Sequence, residues 1–454
     1  MNPFLLATKN LHNQEDIKHV NFTQNHLLME IYYVKGAFDI DYFNDYYLKD
    51  INENNCNFLH QTFPGIFSQL DVTSSQMVNY YLNKGHLLLL INDHLAYIVY
   101  LSIIPKRSPT TSQLDPINLL ASQDGFIENA NENITLIRKR LKTEQLVIKK
   151  YIGGTLTQTD IYLLYLQKIE NADFIKLTQT KLENLHRDSI ISVNDLNKEF
   201  QGNSLLPLVF NTSSPEHAAG CLLDNRCVII IDNTPVVCVL PTNLSLFTTT
   251  KNEVNAPRYS TIFNRIFIFS FFFIAIFMLG LFISLLNFHP SFLSTILIAN
   301  IQLTERGTTF PLFVEIIIVL FLFEFYRFAT SRSPSNFVQN IVIIFGGLFI
   351  GQNAINSGIV GSVVLMLASL SYIAGFAITN NPHLITSLSI FRLLVLVASY
   401  TLGLFGLVLS SILTISYFNS QKSVGQDYLK PFMPFNFRKI KDYLIPTRKG
   451  GINK

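Results

Sequence analysis

Uninterrupted apolar runs fill the C-terminal part of this chain, whereas the N-terminal part alternates between apolar and polar residues over short distances. The apolar runs occupy residues 266–286, 313–325, 337–351, 359–378 and 393–415. A helix needs about 20 mostly apolar residues to cross a bilayer, and a backbone in hydrocarbon must satisfy its own hydrogen bonds. The pattern therefore predicts an all-α polytopic transmembrane domain over residues 256–420, followed by a basic cytosolic tail over residues 421–454.

The first 255 residues carry the pattern of an α/β fold, with strand-like runs around turns and apolar residues at helical spacing. Hairpins are expected at residues 86–104 and 227–241, and helices at residues 126–152, ended by Gly153 and Gly154, and at residues 174–188. The basic residues of the first helix predict a solvated face, with a lipid or partner contact as the alternative. A stretch rich in proline and serine separates the two sets of elements. We therefore predict an α/β N-terminal soluble region of two modules, residues 1–120 and 121–255. Each module ends in a predicted hairpin, which suggests that the two modules repeat one arrangement of helices and strands.

Composition excludes several classes of function. A net charge of +3 gives no reason to expect a nucleic-acid partner. The four cysteines, Cys56, Cys221, Cys227 and Cys238, form no CxxC pair and show no metal-ligand spacing with histidine, so buried structural thiols are expected. The motifs GxxxxGK[ST], GxGxxG, HExxH and GxSxG are absent from the sequence. We therefore expect no enzymatic activity and no catalytic, cofactor-binding or metal-binding residues.

Basic residues at the ends of the apolar runs predict the topology. Arg258 and Arg265 place the start of the first run inside, and Arg327 and Arg332 place the end of the second run inside. The basic tail also belongs inside, which demands an even number of spans, whereas five runs are present. Either one of the two apolar runs between residues 337 and 378 does not cross the membrane fully, or the basic residues do not report the topology correctly. The N-terminus has no long apolar region typical of a cleaved signal peptide, so the soluble region is expected in the cytosol.

Three charges inside the apolar runs are candidates for function, because a charge is costly in lipid and usually faces protein or water. These intramembrane charges are Glu315, Glu324 and Arg327. Glu324 and Arg327 are three residues apart, so they can pair on one helix face. Glu315 lies on the opposite face of that helix, where it either lines an aqueous path or pairs with a neighbouring helix.

Several stretches, in order, resemble a known family. They are DGFIENANENITLIRKRL with TQTDIYLLYL (124–166), LLDNRCVIIIDNTPVVCVLP (222–241), FPLFVE with FEFYR (310–327), GGLFIGQNAINSGIV (346–360) and YLKPFMP (428–434). Together they resemble the A-subunit family of spore germinant receptors, the GerA family, over about residues 30–435. The chain departs from the family pattern at Phe328, where the family usually has an acidic residue, and at residues 211–216, whereas Ala329 matches the family's alanine. It is therefore identified as a divergent member.

The resemblance implies a multi-pass protein of the spore inner membrane that takes part in nutrient sensing during germination. It also implies two partners, a transporter-like B subunit that holds the nutrient and a lipoprotein C subunit. Family members are expected to assemble into a homo-oligomeric ring with a central ion path, surrounded by membrane lipid. Two other classes stay open: a secondary transporter that carries solute itself, and a non-conducting scaffold of the receptor. A transporter would show an inverted repeat with broken helices, and the apolar runs do not match in pairs.

One predicted helix, at about residues 338–360, combines a smooth face with an opposite face of mixed polarity. At about 100° per residue, Gly347, Gly351 and Gly358 lie on one face, which lets another helix approach closely. The opposite face carries the candidate pore-lining residues Val338, Ile341, Phe345, Leu348, Gln352 and Asn356. Either the amides only bond to neighbouring helices, or this face lines a pore in a ring of identical subunits. In the second case Phe345 and Leu348 form an apolar gate, and Gln352 and Asn356 a wet vestibule.

Overall fold

A computed structural model describes most of the chain, in two compact units. The described residues are 16–24, 27–35, 38, 40–52, 56–69, 78, 81–82, 84–92, 95–100, 124–170, 172–185, 187–249, 258–305, 308–332 and 351–433. The α/β unit comprises Met1–Asn203, Leu208–Thr242 and Ser423–Gln426, and the helical unit comprises Ser204–Pro207, Asn243–Lys422 and Asp427–Lys454. The predicted boundary near residue 120 lies outside the described residues and stays a prediction.

The first module of the α/β unit is an antiparallel five-stranded sheet. Its strands are β1 (Ile17–Gln24), β2 (Leu27–Val34), β3 (Phe67–Gln69), β4 (Leu87–Ile91) and β5 (Leu95–Val99), in the order β1-β2-β4-β5-β3. Helices α1 (Ile40–Tyr46) and α2 (Leu59–Thr62) contribute to the core on one face, where Phe43 and Leu59 are fully buried. The predicted hairpin of β4 and β5 is confirmed, and Asn92 adopts the positive φ of 48° that its turn requires.

The second module repeats this plan. Its strands are β6 (Leu146–Gly153), β7 (Thr159–Leu166), β8 (Phe210–Thr212), β9 (Cys227–Ile231) and β10 (Val237–Leu240), in the order β6-β7-β9-β10-β8. Its helices are α3 (Ala130–Arg140), α4 (Asp173–Glu183), α5 (Val193–Gln201) and α6 (Pro215–Leu223). Each sheet is antiparallel, and the third strand of each lies at the edge beside the fifth. The repeated plan expected from the sequence is therefore confirmed.

The helix predicted over residues 126–152 is wrong in its second half. Helix α3 begins after Asn129, whose side chain accepts the backbone N–H groups of Asn131 and Glu132, and it ends at Arg140. The following residues alternate between buried and exposed and form strand β6 instead. Gly153 lies in that strand, and Gly154, with a φ of +84°, makes the turn to β7, so the glycine pair does not end a helix.

Helix α3 is buried on nearly all sides, so its basic residues do not form one solvated face. Ala130, Ile134 and Ile137 are buried, and so is Arg138, which is only 2% exposed. The Arg138 guanidinium bonds both carboxylate oxygens of Asp16, through Nε at 2.5 Å and Nη2 at 2.7 Å. Asp16 directly precedes β1, so this buried ion pair ties the second module to the first.

The helical unit contains seven described helices. They are α7 (Leu244–Thr248), α8 (Arg258–Phe288), α9 (Thr295–Glu305), α10 (Leu312–Ser331), α11 (Gly351–Asn356), α12 (Ser362–Ile378) and α13 (Pro382–Ser420). A short hairpin, β11 (Lys422–Ser423) and β12 (Gln426–Asp427), follows α13. The unit's main apolar core is built from α8, α10 and α12, with Ile283, Ile316 and Ala368 fully buried. Among the described residues, Tyr259–Phe288 and Pro382–Ser420 are long and apolar enough to cross a membrane.

Helix α13 is a hairpin of two helices, which corrects the prediction of a single span over residues 393–415. The chain reverses at Gly403, whose φ of 62° and ψ of −141° are not helical. The rings of Phe391 and Phe418 therefore pack 5.1 Å apart, although they would be about 40 Å apart on one straight helix. Gly406 allows the two halves to touch, because a Cβ there would lie 2.7 Å from the carbonyl carbon of Ala398.

Candidate functional site

The polar groups inside the apolar helical unit are the candidate site, beginning with one ion pair on α10. Glu324 and Arg327 form the pair that their spacing predicts, since Oε2 of Glu324 accepts hydrogen bonds from Nε at 2.9 Å and from Nη2 at 2.8 Å. Both side chains are about one quarter exposed. Tyr372 of α12 donates its hydroxyl to the carbonyl of Phe323 at 3.0 Å, one residue away from the pair. The pair therefore lies where α10 meets α12.

Arg392 is a buried cation that the sequence reasoning missed. It lies in the first half of α13, is 3% exposed, and donates Nε to the carbonyl of Ala275 in α8 at 2.6 Å. Its Nη2 donates to the carbonyl of Ser371 in α12 at 3.0 Å, and its guanidinium lies 5.5 Å from the centre of the Tyr372 ring. Arg392 thus ties three helices together. A single arginine at the edge of a long apolar run was the available signal, because such charges are rarely left facing lipid.

Glu315, the other acidic candidate, is almost completely buried, at 1% exposed. Its Oε2 accepts the backbone N–H of Gly361, the residue that precedes α12, at 2.9 Å. Of the two alternatives left by the sequence, the structure therefore supplies a bond to a neighbouring helix. The helix end favours the carboxylate, because unpaired N–H groups and the helix dipole leave positive charge there.

The bond to Gly361 does not satisfy the whole carboxylate. Oε1 of Glu315 accepts no hydrogen bond from any residue that the structure describes. Burying a charged group costs several kcal/mol, and one hydrogen bond to it returns about 1.5–3 kcal/mol. The helix end contributes up to about 2 kcal/mol, while a buried oxygen without a partner costs about 1–3 kcal/mol. The described contacts thus offset the cost of this charge only in part.

The predicted pore-lining helix is described only at its C-terminal end. Val338, Ile341, Phe345, Gly347 and Leu348 lie outside the described residues, so their predicted roles are untested. In α11, the side chains of Gln352, Asn353 and Asn356 are exposed, whereas Ala354 is buried. The prediction that Gly358 shares a helix face with Gly347 and Gly351 is wrong, because Gly358 lies beyond the end of α11 and has a φ of 67°.

A loop from the middle of the α/β sequence, Ser204–Pro207, belongs to the helical unit. The backbone N–H of Leu205 donates to the hydroxyl of Tyr417 at 2.9 Å, and the carbonyl of Leu205 accepts the hydroxyl of Ser387 at 2.5 Å. Tyr417 and Ser387 belong to opposite halves of the α13 hairpin. One residue of this loop therefore holds the two open ends of that hairpin together, and no local sequence pattern signals it.

The cysteines behave as structural thiols. All four are free and buried, as the sequence predicts. Burial raises the pKa of Cys227 to about 12 and also raises the pKa of Cys238, so both thiols stay protonated at neutral pH. No group of three or more His, Cys, Asp or Glu side chains that could hold a metal occurs among the described residues.

Comparison with known proteins assigns the family. The family model described as Bacillus/Clostridium GerA spore germination protein matches residues 6–451. The chain belongs to this family. Spore germination protein XA of Bacillus anthracis is 32% identical over 376 residues, which is 81% of this chain and 76% of that protein. Spore germination protein GerQA of Bacillus cereus is 24% identical over 441 residues, 96% of this chain and 88% of the relative.

A solved structure is also similar to this GerA-family chain. It is the crystal structure of the N-terminal domain of the A subunit of the Bacillus megaterium spore germinant receptor GerK3. The match covers 52% of this chain and 92% of the crystallised one, at 24% identity and a TM-score of 0.40. Membership of the GerA family gives the chain a role in spore germination, and its apolar helices agree with membrane association.

Proposed function

We propose that this chain is the A-type membrane subunit of a nutrient germinant receptor. It assembles with copies of itself into a ring around an ion path, and nutrient sensing in a partner opens that path. The partners are a transporter-like B subunit and a lipoprotein C subunit, and membrane lipid surrounds the assembly. The role is non-enzymatic. Family membership supports the receptor role, while the conducting path rests on the chain's own residues.

The exposed amides of α11 carry the proposal of a water-filled path. Gln352, Asn353 and Asn356 are exposed on the surface of a single chain, in a helical unit that also exposes many large apolar side chains. Polar side chains are expensive when they face hydrocarbon, so such a group faces water or another subunit. A ring of identical chains that brings these amides to its axis provides the water. By helical spacing in the sequence, Phe345 and Leu348 are predicted to continue the same face.

Replacing Leu348 with serine should open the path without nutrient. A polar residue at an apolar constriction favours hydration, and a hydrated constriction conducts. We expect ion leak from proteoliposomes or cells that carry the Leu348→Ser receptor, measured as loss of a potassium gradient by flame photometry. A rise in leak of about tenfold corresponds to about 1.4 kcal/mol of gate stability. Leu394→Ser is the matched control, because Leu394 lies on α13 and is 46% exposed, and it should leave the gradient intact.

The same measurement separates conduction from scaffolding. In Gly351→Leu, the larger side chain should prevent close helix approach, so the receptor should fail to assemble by crosslinking. If Leu348→Ser assembles normally, holds its gradient and answers nutrient like the unchanged protein, this face does not line a gate. The non-conducting scaffold then becomes the better description.

We further propose that the protein is multi-pass, in the spore inner membrane or the bacterial cell membrane, with the soluble region and the tail in the cytosol. Lys422, Lys430, Arg438, Lys439 and Lys441 support a cytosolic tail. In Lys449→Cys, an impermeant maleimide should label the new thiol only after the cells are permeabilised. The native cysteines give a low background, because they are buried and the raised pKa of Cys227 keeps it in the unreactive thiol form. Labelling in intact cells would place the tail outside.

A further inference from the structure

We propose that Glu315 anchors a binding site for one alkali cation, where the chain breaks between α11 and α12. The break spans residues 357–361, and Gly358 adopts a φ of 67° within it. Glu315 faces the break, since its Oε2 accepts the N–H of Gly361 at 2.9 Å. Its Oε1 is buried and accepts no hydrogen bond from the part of the chain that the structure describes.

The chemistry of this orphan oxygen points to a cation. An ionised carboxylate has only acceptor sites, so its free oxygen takes a proton donor or a positive ion. Leu312 and Ile316 on the same helix, and Val360 beside Gly361, are buried members of the unit's apolar core, and none of these side chains can donate a hydrogen bond. A carboxylate in such surroundings is retained where it pairs or binds an ion. A monovalent ion balances its single charge.

The break itself supplies a second kind of ligand. Helix α11 ends at Asn356 beside the break, and the carbonyls of Asn353, Ala354 and Ile355 already accept N–H groups of residues 357–360. The candidate carbonyl ligands are therefore those of Asn356 and Ser357, which accept no hydrogen bond among the described contacts. Carbonyl and carboxylate oxygens are the ligands of hard cations, and broken helices in membranes use unwound carbonyls in this way. The segment just before α10 also contacts the break, because the backbone N–H of Thr309 donates to the carbonyl of Gly358 at 2.9 Å.

Exposed polar side chains lie next to the break. Asn353, Asn356 and Ser357 are exposed at the end of α11, whereas Ala354 and Val360 are buried. Amide and hydroxyl oxygens at this end of α11 can replace the water of an ion that approaches Glu315. The site is independent of the proposed conduction, because a resident ion can hold α10 and α12 together in a chain that passes no current.

Direct ion binding tests the site. The full chain, purified in a non-ionic detergent, is equilibrated with radioactive sodium or rubidium against N-methylglucamine at constant ionic strength. We expect about one bound ion per chain, and a rise of about 2–3 °C in the melting temperature followed by circular dichroism, at about ten times the dissociation constant. In Glu315→Gln, which keeps an acceptor for the Gly361 N–H but loses the charge, both effects should disappear.

Glu324→Gln is the matched control, because it removes a carboxylate from the same helix and should keep both the bound ion and the shift. The proposal is overturned if the unchanged chain binds neither ion, or if Glu315→Gln binds as the unchanged chain does. If Glu315 only caps α12, the unchanged chain should bind neither sodium nor rubidium. This experiment measures binding rather than flux. If the unchanged chain binds the ion but the Leu348→Ser variant does not leak, only the proposed conduction is refuted.

Discussion

Gly406→Ala should prevent the α13 hairpin from closing, at a cost of about 3 kcal/mol or more. The added Cβ would lie 2.7 Å from the carbonyl carbon of Ala398, and backbone atoms cannot rotate away as a side chain can. Opening the hairpin also separates Phe391 from Phe418 and releases Leu205 from one of its two hydroxyl partners. The expected result is loss of the monodisperse peak in fluorescence-detected size-exclusion chromatography, with faster proteolysis of the detergent-solubilised protein.

Gly375→Ala is the control for this prediction. It is the same substitution in a helix of the same unit, but the added Cβ would lie 3.7 Å from Nη2 of Arg392, which is ordinary contact. Alanine also favours a helix over glycine by about 1 kcal/mol, so this variant should elute and resist protease at least as well as the unchanged protein. If Gly406→Ala behaves like Gly375→Ala, the two halves of α13 do not touch as described.

The hairpin also shows where hydropathy stops being informative. The run at residues 393–415 is apolar throughout, so an average over it predicts one span and gives no weight to Gly403. The reversal depends on one backbone conformation and on close approach at a second glycine, and neither changes the hydropathy. Glycines spaced three apart in an apolar helix were the available signal, but the same spacing also occurs in uninterrupted packed helices.

The α/β unit was predicted better, because a short apolar run on each side of a turn indicates a hairpin. The strands of the two predicted hairpins are such runs, and all of their residues except Leu95 are buried. The prediction over residues 126–152 failed because α3 and β6 are joined by a short turn, and the apolar residues of β6 continue the helical spacing of α3 by chance. The burial of Arg138 could not be predicted, because its partner Asp16 is 122 residues away in the sequence.

In the helical unit, the sequence identified Glu315, Glu324 and Arg327 as candidates, but it did not single out Arg392. The pairing of Glu324 with Arg327 is local and was predicted from spacing alone. Glu315 and Arg392 instead bond backbone groups 46 and 117 residues away, at Gly361 and Ala275. Such bonds depend on which helices become neighbours, and apolar runs of equal hydropathy contain no information about that choice.

The Asp16–Arg138 ion pair joins the two modules of the α/β unit. Breaking it is expected to have a large effect on the stability of this unit. We expect Asp16→Ala to lower the free energy of unfolding of this unit by about 3–5 kcal/mol, because the Arg138 charge stays buried without this carboxylate. All four cysteines lie in this unit and are buried, so their reaction with a thiol dye across a urea series reports its unfolding in the full-length protein.

Two further variants separate this ion pair from a general effect of removing aspartate. Asp45→Ala breaks the pair with Lys49, whose side chains are 67% and 68% exposed, and it should cost less than about 1 kcal/mol. Asp16→Leu combined with Arg138→Met replaces both charges by apolar groups of similar size, and it should recover most of the stability that Asp16→Ala loses. If Asp16→Ala costs no more than Asp45→Ala, the pair does not join the modules. If the double variant is less stable than the single one, the charges themselves are needed to join α3 to the start of the first module.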